Sequence, residues 1–552
     1  MSQITELLAQ ERYQELWQLC CGFLDLNTDQ FMQIQEQLLL EQLTSLQNCK
    51  MGRKLLGGAI PRTVAEFREQ VPLTTYPDYC PELLQKDEAG LPAKPISWVQ
   101  TSGRSGEYAC KWVPVSQRFW DEAGLDFCAI ALLGTCSGKD KVAIKHGLQL
   151  LYAAALTPCL TGNIAKKLGE DVGFTFLPSL DAITEMSFEE RVENGFNLAL
   201  AGGMDGFFGL GGVLVGIGEK IKNGSGKMNV YQLLKQPRVA ARFARGMLRA
   251  KKEKRHILPK DLWDLKVIVS MGTDSMVYQD RIKALWGRTP LNVYGNSETT
   301  VIATQTWDYR DMVFFPNLNF LEFIPTAERL KGQMNHFYQP KTVLLNEVKK
   351  QEVYELVITS FHGGIMVRYR LGELVRITSL RNEKLGINLP QMVFEQRADD
   401  LIDLGFMRLT ERVIGQALEN AGVPYHGWMA NKEIAANPRL RLYMEMRDGY
   451  TGSAKELAAA VYEEIKKLDD GLYVYKDLAS LENLIDFSPI KVTLLEKGTF
   501  ATYKEMMRQQ GADLTELRPP HINPSEEMLA KLGIDSLVSE HKVSSEMQFV
   551  SR

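Results

Sequence analysis

One segment near the middle of the chain constrains the fold most, because it predicts a strand, a helix and a second strand in succession. Residues 265–270 have the sequence LKVIVS, an apolar run typical of a buried strand, and residues 291–294 have the sequence LNVY. Residues 279–286 between them have helical spacing. Such a unit places two strands side by side in one sheet, so we predict an α/β fold. Ligands of these sheets bind beyond the carboxyl ends of the strands, where residues 271–274 and 295–298 fall.

The rest of the chain predicts two domains around this unit. At 552 residues the chain is too long for one ordinary domain. Residues 1–70 are predicted to form amphipathic helices that pack on a larger body, and the strand at residues 96–99 leads into a Gly/Ser loop. After about residue 397 the pattern changes to α+β spacing. We therefore predict a large N-terminal domain with mixed sheets and helices at residues 1–397 and a smaller C-terminal domain at residues 398–552.

Charge and cysteine usage exclude several classes of function. A net charge of −4 without a long Lys/Arg run disfavours a nucleic-acid-binding surface. The first twelve residues carry charges where a secretion signal needs an apolar core, and the apolar stretches are shorter than the roughly 18–20 residues that span a bilayer. The eight cysteines form no CxxC pair, and the histidines have no zinc spacing. We expect a cytoplasmic protein with reduced thiols and no nucleic-acid or membrane partner.

The loop TSGRSG at residues 101–106 follows the strand at residues 96–99 directly. Glycine lets the backbone approach a ligand closely, hydroxyl and amide groups donate hydrogen bonds, and Arg104 adds positive charge, so this loop can wrap a phosphate. An ordinary Ser/Gly turn is the alternative, and it is common. The loop is not a Walker motif, and residues 134–140 (GTCSGKD) also miss that spacing. Residues 103–107 lack the final glycine of a nucleophile elbow.

Two further motifs follow in an order that strengthens the phosphate-binding interpretation. Residues 294–298 (YGNSE) resemble the YG-x-[ST]-E motif of adenylate-forming enzymes, and they offer an aromatic ring, a hydroxyl and a carboxylate that can hold Mg²⁺ on phosphates. Residues 370–373 (RLGE) resemble the later R-x-G-D motif, whose carboxylate accepts hydrogen bonds from ribose. Each motif alone is explained by an ordinary turn or surface side chain. Three motifs in this order at strand ends predict a nucleotide site.

The chain resembles the GH3 family of acyl-acid amido synthetases, a branch of the acyl-adenylate superfamily, over much of its length. The early VPLTTY segment is similar to the family's VPVTTYED, and TSGRSGEYACKWVP is similar to its SSGTSxGERKxxP signature. The segments that carry the remaining resemblance are YGNSE at residues 294–298, NFLEFIP at 319–325, YELVIT at 354–359, RYRLGELVRI at 368–377 and the stretch from GTF at 498–500 to LRPP at 517–520.

This resemblance implies an ATP-dependent ligase that activates a carboxylic acid as an acyl-adenylate and passes the acyl group to an amine, typically of an amino acid. It implies a mobile C-terminal domain and Mg²⁺ bound with ATP. The implied ATP-binding residues are Thr101, Ser102, Gly103, Arg104, Ser105, Thr273, Tyr294, Gly295 and Glu373. The implied catalytic residues are Ser297, beside the α-phosphate, Glu298, which holds Mg²⁺, and Arg518. Asp399 and Asp400 lie where the family has its hinge.

Departures from the family pattern leave two alternatives open. Arg104 replaces a threonine, and Glu373 replaces the ribose-binding aspartate. A coenzyme A ligase of the phenylacetate type, which has a similar early segment, and a non-catalytic relative are the alternatives to an amide-forming ligase. Residues 201–212 are rich in glycine, and they favour a close helix–helix contact over the wall of an apolar acid pocket. No signature identifies the acid or the amine.

Overall fold

In the computed structural model, the residues described are 3–101, 110–139, 141–184, 186–223, 237–271, 278–335, 337–398, 401–404, 407–433, 439–468, 489–509, 521–524 and 526–534. They form two compact units. Described residues up to 398 belong to the first unit, and those from 401 onwards belong to the second.

The first unit contains most of the helices. They are α1 (Gln3–Ala9), α2 (Tyr13–Cys21), α3 (Thr28–Gln47), α4 (Lys50–Leu55), α5 (Val64–Gln70), α6 (Glu82–Gln85), α7 (Gln117–Thr135), α8 (Leu160–Asp171), α9 (Phe188–Gly202), α10 (Gly211–Asn223), α11 (Pro237–Lys252), α12 (Pro259–Leu262), α13 (Gln279–Trp286) and α14 (Thr326–Met334). Helix α7 begins where the Ser116 hydroxyl accepts a hydrogen bond from the Phe119 amide, and all its residues from Asp126 to Thr135 are buried.

The strands of the first unit are β1 (Pro95–Gln100), β2 (Trp112–Ser116), β3 (Gln149–Ala153), β4 (Thr175–Leu177), β5 (Gly206–Leu210), β6 (Val267–Met271), β7 (Leu291–Tyr294), β8 (Ala303–Gln305), β9 (Met312–Phe314), β10 (Asn319–Pro325), β11 (Val353–Ser360), β12 (Tyr369–Ser379) and β13 (Gln391–Arg397). Strands β1 and β2 form an antiparallel pair. The others form one sheet in the order β10-β11-β12-β13-β9-β8-β7-β6-β5-β3-β4. The sheet is parallel at one end, where β4 pairs with β3, β3 with β5, β5 with β6, and β6 with β7. The remaining pairs are antiparallel.

The predicted strand–helix–strand unit is confirmed. Helix α13 and strand β7 have the predicted bounds, and β6 begins and ends within two residues of them. The predicted helices of residues 1–70 and the predicted α/β class are also confirmed. The favoured interpretation of residues 201–212 is wrong, because their centre is strand β5, which pairs with β3 and β6. Glycine serves close strand packing here, since a Cβ on Gly209 would lie 2.2 Å from the Ala153 carbonyl oxygen.

The second unit combines a small sheet with helices. Its elements are β14 (Leu401–Asp403), β15 (Arg408–Thr410), α15 (Glu411–Asn420), β16 (Tyr425–Glu433), β17 (Arg439–Met446), α16 (Ala454–Leu468), β18 (Ile490–Leu494), α17 (Thr499–Gln509) and α18 (Glu526–Lys531). Strands β16 and β17 are antiparallel, and β18 joins β17 in parallel. The α+β spacing predicted for this region is confirmed. A search of the described helices of both units finds none with the length and apolar character needed to cross a membrane.

A carboxyl group is buried in the middle of helix α7. Asp126 is 3% exposed, and its Oδ2 atom has no hydrogen-bond partner among the described residues. Burial raises the pKa of Asp126 well above its ordinary value, the hydrogen bond with Asn317 opposes this effect, and the charge of Glu122 adds to it. The carboxyl group is therefore expected to stay protonated in the folded chain at pH values where the unfolded chain ionises it.

We expect Asp126→Asn to stabilise the protein increasingly as pH rises above about 4. Both states are protonated below the unfolded pKa of about 3.9, so the substitution has little pH-dependent effect there. At higher pH the unfolded carboxyl loses its proton, which costs the wild type up to about 1.4 kcal/mol per pH unit until the folded pKa is reached. Denaturant unfolding from pH 4 to 8 measures this trend, with Asp121→Asn on the exposed side of α7 as control. A difference that does not change with pH would contradict the expectation.

Candidate functional site

The loop after strand β7 has a shape that its own residues hold. A Cβ on Gly295 would lie 2.3 Å from the Thr300 carbonyl oxygen, so only glycine fits at this position. The Asn296 Oδ1 atom accepts hydrogen bonds from the backbone amides of Glu298 and Thr299, each at 3.1 Å. This side-chain-to-backbone turn fixes the chain at the carboxyl end of β7, and Ser297 and Glu298 project from it.

Glu298 belongs to a cluster of three side chains from different elements. Lys111 Nζ donates to Glu298 Oε1 at 3.1 Å and to the Tyr369 hydroxyl oxygen at 2.9 Å. The Tyr369 hydroxyl lies 3.4 Å from the same Glu298 oxygen and donates to it. The Lys111 and Glu298 side chains are only 12% and 10% exposed. Burial raises the pKa of Tyr369 well above its ordinary value and the Glu298 charge adds to this, so the phenol keeps its proton and can donate.

The start of the Gly/Ser loop lies next to the loop after β7. Thr101 is buried, its Oγ1 accepts from the Lys111 amide at 2.9 Å, and its own amide donates to the Lys111 carbonyl at 3.0 Å. Ser297 Oγ donates to the Gln100 carbonyl at 3.2 Å. Two of the three motifs that the sequence places far apart therefore meet at the ends of β1 and β7.

The third motif contributes Glu373, whose two carboxylate oxygens both have partners inside the first unit. Arg397 Nη1 donates to Oε1 at 3.1 Å, while the Tyr294 hydroxyl at 2.5 Å and Asn296 Nδ2 at 3.4 Å donate to Oε2. Burial, followed by the charge of Glu373, raises the pKa of Tyr294 well above its ordinary value. A ribose at Glu373 would have to share or replace these hydrogen bonds. The Tyr294 ring packs on Phe394, 5.8 Å between centroids.

A bulge in strand β12 directs Glu373 toward this cluster. Glu355 of β11 pairs with Leu374 while Val357 pairs with Arg370, so β12 has extra residues between the two pairs. Gly372 within the bulge has a φ of 65°, a conformation that suits glycine. The glycine of the R-x-G-E motif therefore has a structural role, because it forms the bulge that orients the Glu373 carboxylate.

One region of the first unit thus contains six of the predicted site residues: Thr101, Tyr294, Gly295, Ser297, Glu298 and Glu373. The other predicted site residues fall outside the described residues; they are Ser102, Gly103, Arg104, Ser105, Thr273, Asp399, Asp400 and Arg518. Lys111, Tyr369 and Arg397 belong to the site but were not predicted to be site residues. The sequence did contain a signal for Lys111, because it is the lysine of the loop signature. Arg397 had none, because a lone arginine before a domain boundary indicates nothing by itself.

An apolar pocket opens beside the loop after β7. It lies between the sheet and helices α7 and α8, and it is lined from β5, β6 and β7 by residues that include Phe208, Val269 and Val293. Gly295 and Thr300 also line it, so the pocket adjoins the turn that carries Glu298. The cavity has a volume of about 60 Å³.

Two parts of the chain match domains of one family. Residues 20–163 match the GH3 family N-terminal domain, and residues 312–397 match the GH3 family central domain. The first match contains Thr101 and Lys111, and the second contains Tyr369, Glu373 and Arg397. The matched segments therefore include the residues of both clusters apart from Tyr294 and the loop after β7.

Curated proteins resemble about half of the chain in sequence. The chain is 26% identical over 306 residues to the indole-3-acetic acid-amido synthetase GH3.10 of Arabidopsis thaliana. The aligned residues cover 51% of this chain and 49% of that protein. It is 25% identical over 305 residues to the jasmonoyl--L-amino acid synthetase JAR4 of Nicotiana attenuata, covering 52% and 49%. The match thus spans about half the length of these relatives.

The fold is similar to that of a solved structure described as AtGH3.15 acyl acid amido synthetase in complex with 2,4-DB. The TM-score is 0.52 at 17% identity, and the alignment covers 93% of this chain and 95% of that one. At this identity the likeness is one of fold. Two segments of the chain are therefore similar to domains of the GH3 family.

Proposed function

We propose that this protein is an ATP-dependent ligase that activates a carboxylic acid as an acyl-adenylate and transfers the acyl group to an amine of an amino acid. The observation that carries the proposal is the convergence of Thr101, Lys111, Ser297 and Glu298 where strands β1 and β7 end. The relatives named as amido synthetases support the amide product. Amide formation needs no covalent nucleophile on the protein, only positioning and neutralisation of charge.

In the first half-reaction, an oxygen of the acid attacks the α-phosphorus of ATP and pyrophosphate leaves. We assign the phosphates to the loop that begins at Thr101, with Ser102, Gly103, Arg104 and Ser105 as further contacts. Ser297 lies beside the α-phosphate in this assignment, and Lys111 offsets negative charge. We assign the nucleoside to Thr273, Tyr294, Gly295 and Glu373.

Mg²⁺ enters this scheme bound to ATP, and it would neutralise phosphate charge. The described residues contain no group of three or more His, Cys, Asp or Glu side chains able to hold a metal ion. A nucleotide-borne Mg²⁺ needs only one or two protein carboxylates, and Glu298 is one that lies in the loop after β7. The donor chemistry therefore fits, and Glu298 would hold the metal in place of its contact to Lys111.

In the second half-reaction, the amine nitrogen attacks the acyl carbon, AMP leaves with the electron pair of the broken bond, and the amine loses a proton. We propose that residues 398–552 form a mobile domain that moves between the two half-reactions about Asp399 and Asp400, and that Arg518 contacts the phosphates in one position. The division of the chain into two units near these residues supports the hinge. The free state of all eight cysteines supports a cytoplasmic location, and the net charge of −4 supports the absence of a nucleic-acid partner.

Exchange of labelled pyrophosphate into ATP, measured across a panel of acids with Mg²⁺, tests the first half-reaction. Amino acids or coenzyme A are then added to the active acid, and the product is identified by mass spectrometry. We expect an amide and AMP with an amino acid. A thioester formed with coenzyme A alone would overturn the amide product. Absence of MgATP binding in calorimetry would overturn adenylation altogether and indicate a non-catalytic relative.

A further inference from the structure

Helix α11 carries positive charge without any negative charge of its own. Its sequence, PRVAARFARGMLRAKK, contains six Lys or Arg residues and no Asp or Glu, in a chain whose net charge is −4. Four of the six are exposed: Arg238, Arg245, Arg249 and Lys252. They recur at spacings of seven, four and three residues, which places them on one face of the helix. These four residues form a cationic stripe along α11.

Packing on the opposite face of α11 turns the stripe toward solvent. Val239 is buried on that face, and a Cβ on Gly246 would lie 2.9 Å from the Ile257 Cδ1 atom, so the helix approaches its neighbour closely there. Arg242 donates from Nη1 to the Leu200 carbonyl of α9 at 2.8 Å. These contacts fix the rotation of α11 about its axis and leave the stripe on the surface of the first unit.

The acidic residues next to α11 do not neutralise the stripe. Glu253 follows the helix and Asp261 lies in α12, and both pair with Arg255, at 2.7 and 2.5 Å. Among the described residues, the four cations of the stripe have no ion-pair partner. In the sequence, residues 224–236 before the helix contain no Asp or Glu either. The charge of the stripe is therefore available to the anions of a partner.

Two exposed apolar side chains adjoin the stripe. Met247 and Leu248 are 58% and 69% exposed. Leu248 lies three residues after Arg245 and four before Lys252, so it neighbours both on the helix surface. A nucleic acid would pair with the cations and leave these apolar side chains in water. The surface of a phospholipid bilayer offers anionic headgroups to the cations and hydrocarbon to the apolar side chains, so it complements both.

We propose that the cationic stripe of α11 binds the surface of an anionic phospholipid bilayer, with Met247 and Leu248 reaching below the headgroups. This inference goes beyond the proposed ligase activity and does not depend on it. The sequence-based expectation of no membrane partner considered spanning segments, and binding at the surface needs none. Because the attraction is mainly electrostatic, the binding is reversible and weakens as salt is added.

Co-sedimentation of the whole chain with lipid vesicles tests the proposal. One set of vesicles is phosphatidylcholine alone, and the other contains phosphatidylglycerol as the anionic lipid. We expect binding only to the anionic vesicles at about 0.1 M salt, where the Debye length is about 10 Å. We expect release at about 1 M salt, where the Debye length falls to about 3 Å.

A double variant measures the contribution of the stripe. Arg245→Gln with Arg249→Gln is expected to lower the partition coefficient about 30-fold, since each cation near an anionic surface is worth about 1 kcal/mol. The control is Arg62→Gln with Lys350→Gln, which changes the net charge equally at exposed positions outside α11. It should stay within about twofold of wild type, because the attraction to the surface falls off within a Debye length.

A single apolar truncation distinguishes a lipid surface from other anionic partners. Leu248→Ala is expected to lower the partition coefficient at least about fourfold, the effect of withdrawing about one methylene group from hydrocarbon. Leu330→Ala makes the same change at a side chain 48% exposed on α14 and should have no effect. All of these substitutions are at exposed positions, so they leave the packed face of α11 intact.

Losses confined to the stripe variant and Leu248→Ala would support the proposal. Absence of vesicle binding, equal binding to both kinds of vesicle, equal losses in the stripe variant and its control, or binding that Leu248→Ala leaves unchanged would overturn it. Binding of duplex DNA or self-association that the stripe variant abolishes, in a chain that does not bind vesicles, would also overturn it and identify a different occupant of this surface.

Discussion

Lys111→Met is expected to lower the rate of ATP–pyrophosphate exchange by about 10²–10³-fold, the loss typical when one group that stabilises transition-state charge is removed. Lys111 is the cation that contacts Glu298, and both side chains are almost buried. Without the ammonium, the phosphates that we assign to this site would lose a cation that offsets their negative charge. The measurement is kcat and KM for ATP with one active acid, together with the thermal midpoint of each variant.

An exposed ion pair in the same unit supplies the control for Lys111. Lys139 Nζ lies 2.5 Å from Asp25 Oδ1, with side chains 50% and 46% exposed. Lys139→Met makes the same substitution where solvent screens the charge, so exchange should stay within about twofold of wild type. A double-mutant cycle with Glu298→Gln then measures whether Lys111 acts through Glu298. Unchanged exchange in a folded Lys111→Met variant would remove Lys111 from the proposed machinery.

Arg368→Met is expected to destabilise the folded protein by about 3–5 kcal/mol, the cost of leaving a buried charge without its partner. Arg368 donates to both carboxylate oxygens of Glu322, at 3.1 and 2.8 Å, and the two side chains are 6% and 0% exposed. Its Nη1 atom also donates to the carbonyls of Arg68 and Val71, at 2.7 and 2.5 Å. The substitution leaves the buried Glu322 carboxylate with the Thr342 hydroxyl and the more distant Arg68 guanidinium, at 3.9 Å, and it strands two backbone acceptors. Denaturant unfolding of both proteins measures the loss.

The control for Arg368 lies close by in the chain, on strand β12. Arg376 of β12 forms a bidentate pair with Glu395 of β13, and these side chains are 35% and 32% exposed. Arg376→Met should cost no more than about 1 kcal/mol. Replacing both Arg368 and Glu322 with apolar residues should recover part of the loss, because no uncompensated charge is then left. Equal losses for Arg368→Met and Arg376→Met would contradict the expectation.

Local sequence patterns were sufficient to predict much of the fold, because the signals for helices and strands span only a few neighbouring residues. The helix at residues 279–286 and the strand at residues 291–294 have the right bounds, since periodicity and flanking residues decide such elements. The glycine-rich stretch at residues 201–212 was misinterpreted for the same reason. A short apolar run with glycines fits a buried strand as well as a close helix contact, and only pairing with β3 and β6 distinguishes them.

For the site, the sequence by itself identified the loops to which we assign chemistry: the small-residue turn at Gly295, with Ser297 and Glu298, and the glycine that precedes Glu373. The tertiary structure alone decided their partners. Lys111 reaches Glu298 across 187 residues, and Arg397 reaches Glu373 because β12 and β13 are neighbours in register. The physical reason is that turn geometry depends on adjacent residues. The pairing of buried charges and the space left between helices and sheet depend on strand order, register and packing, which no local pattern contains.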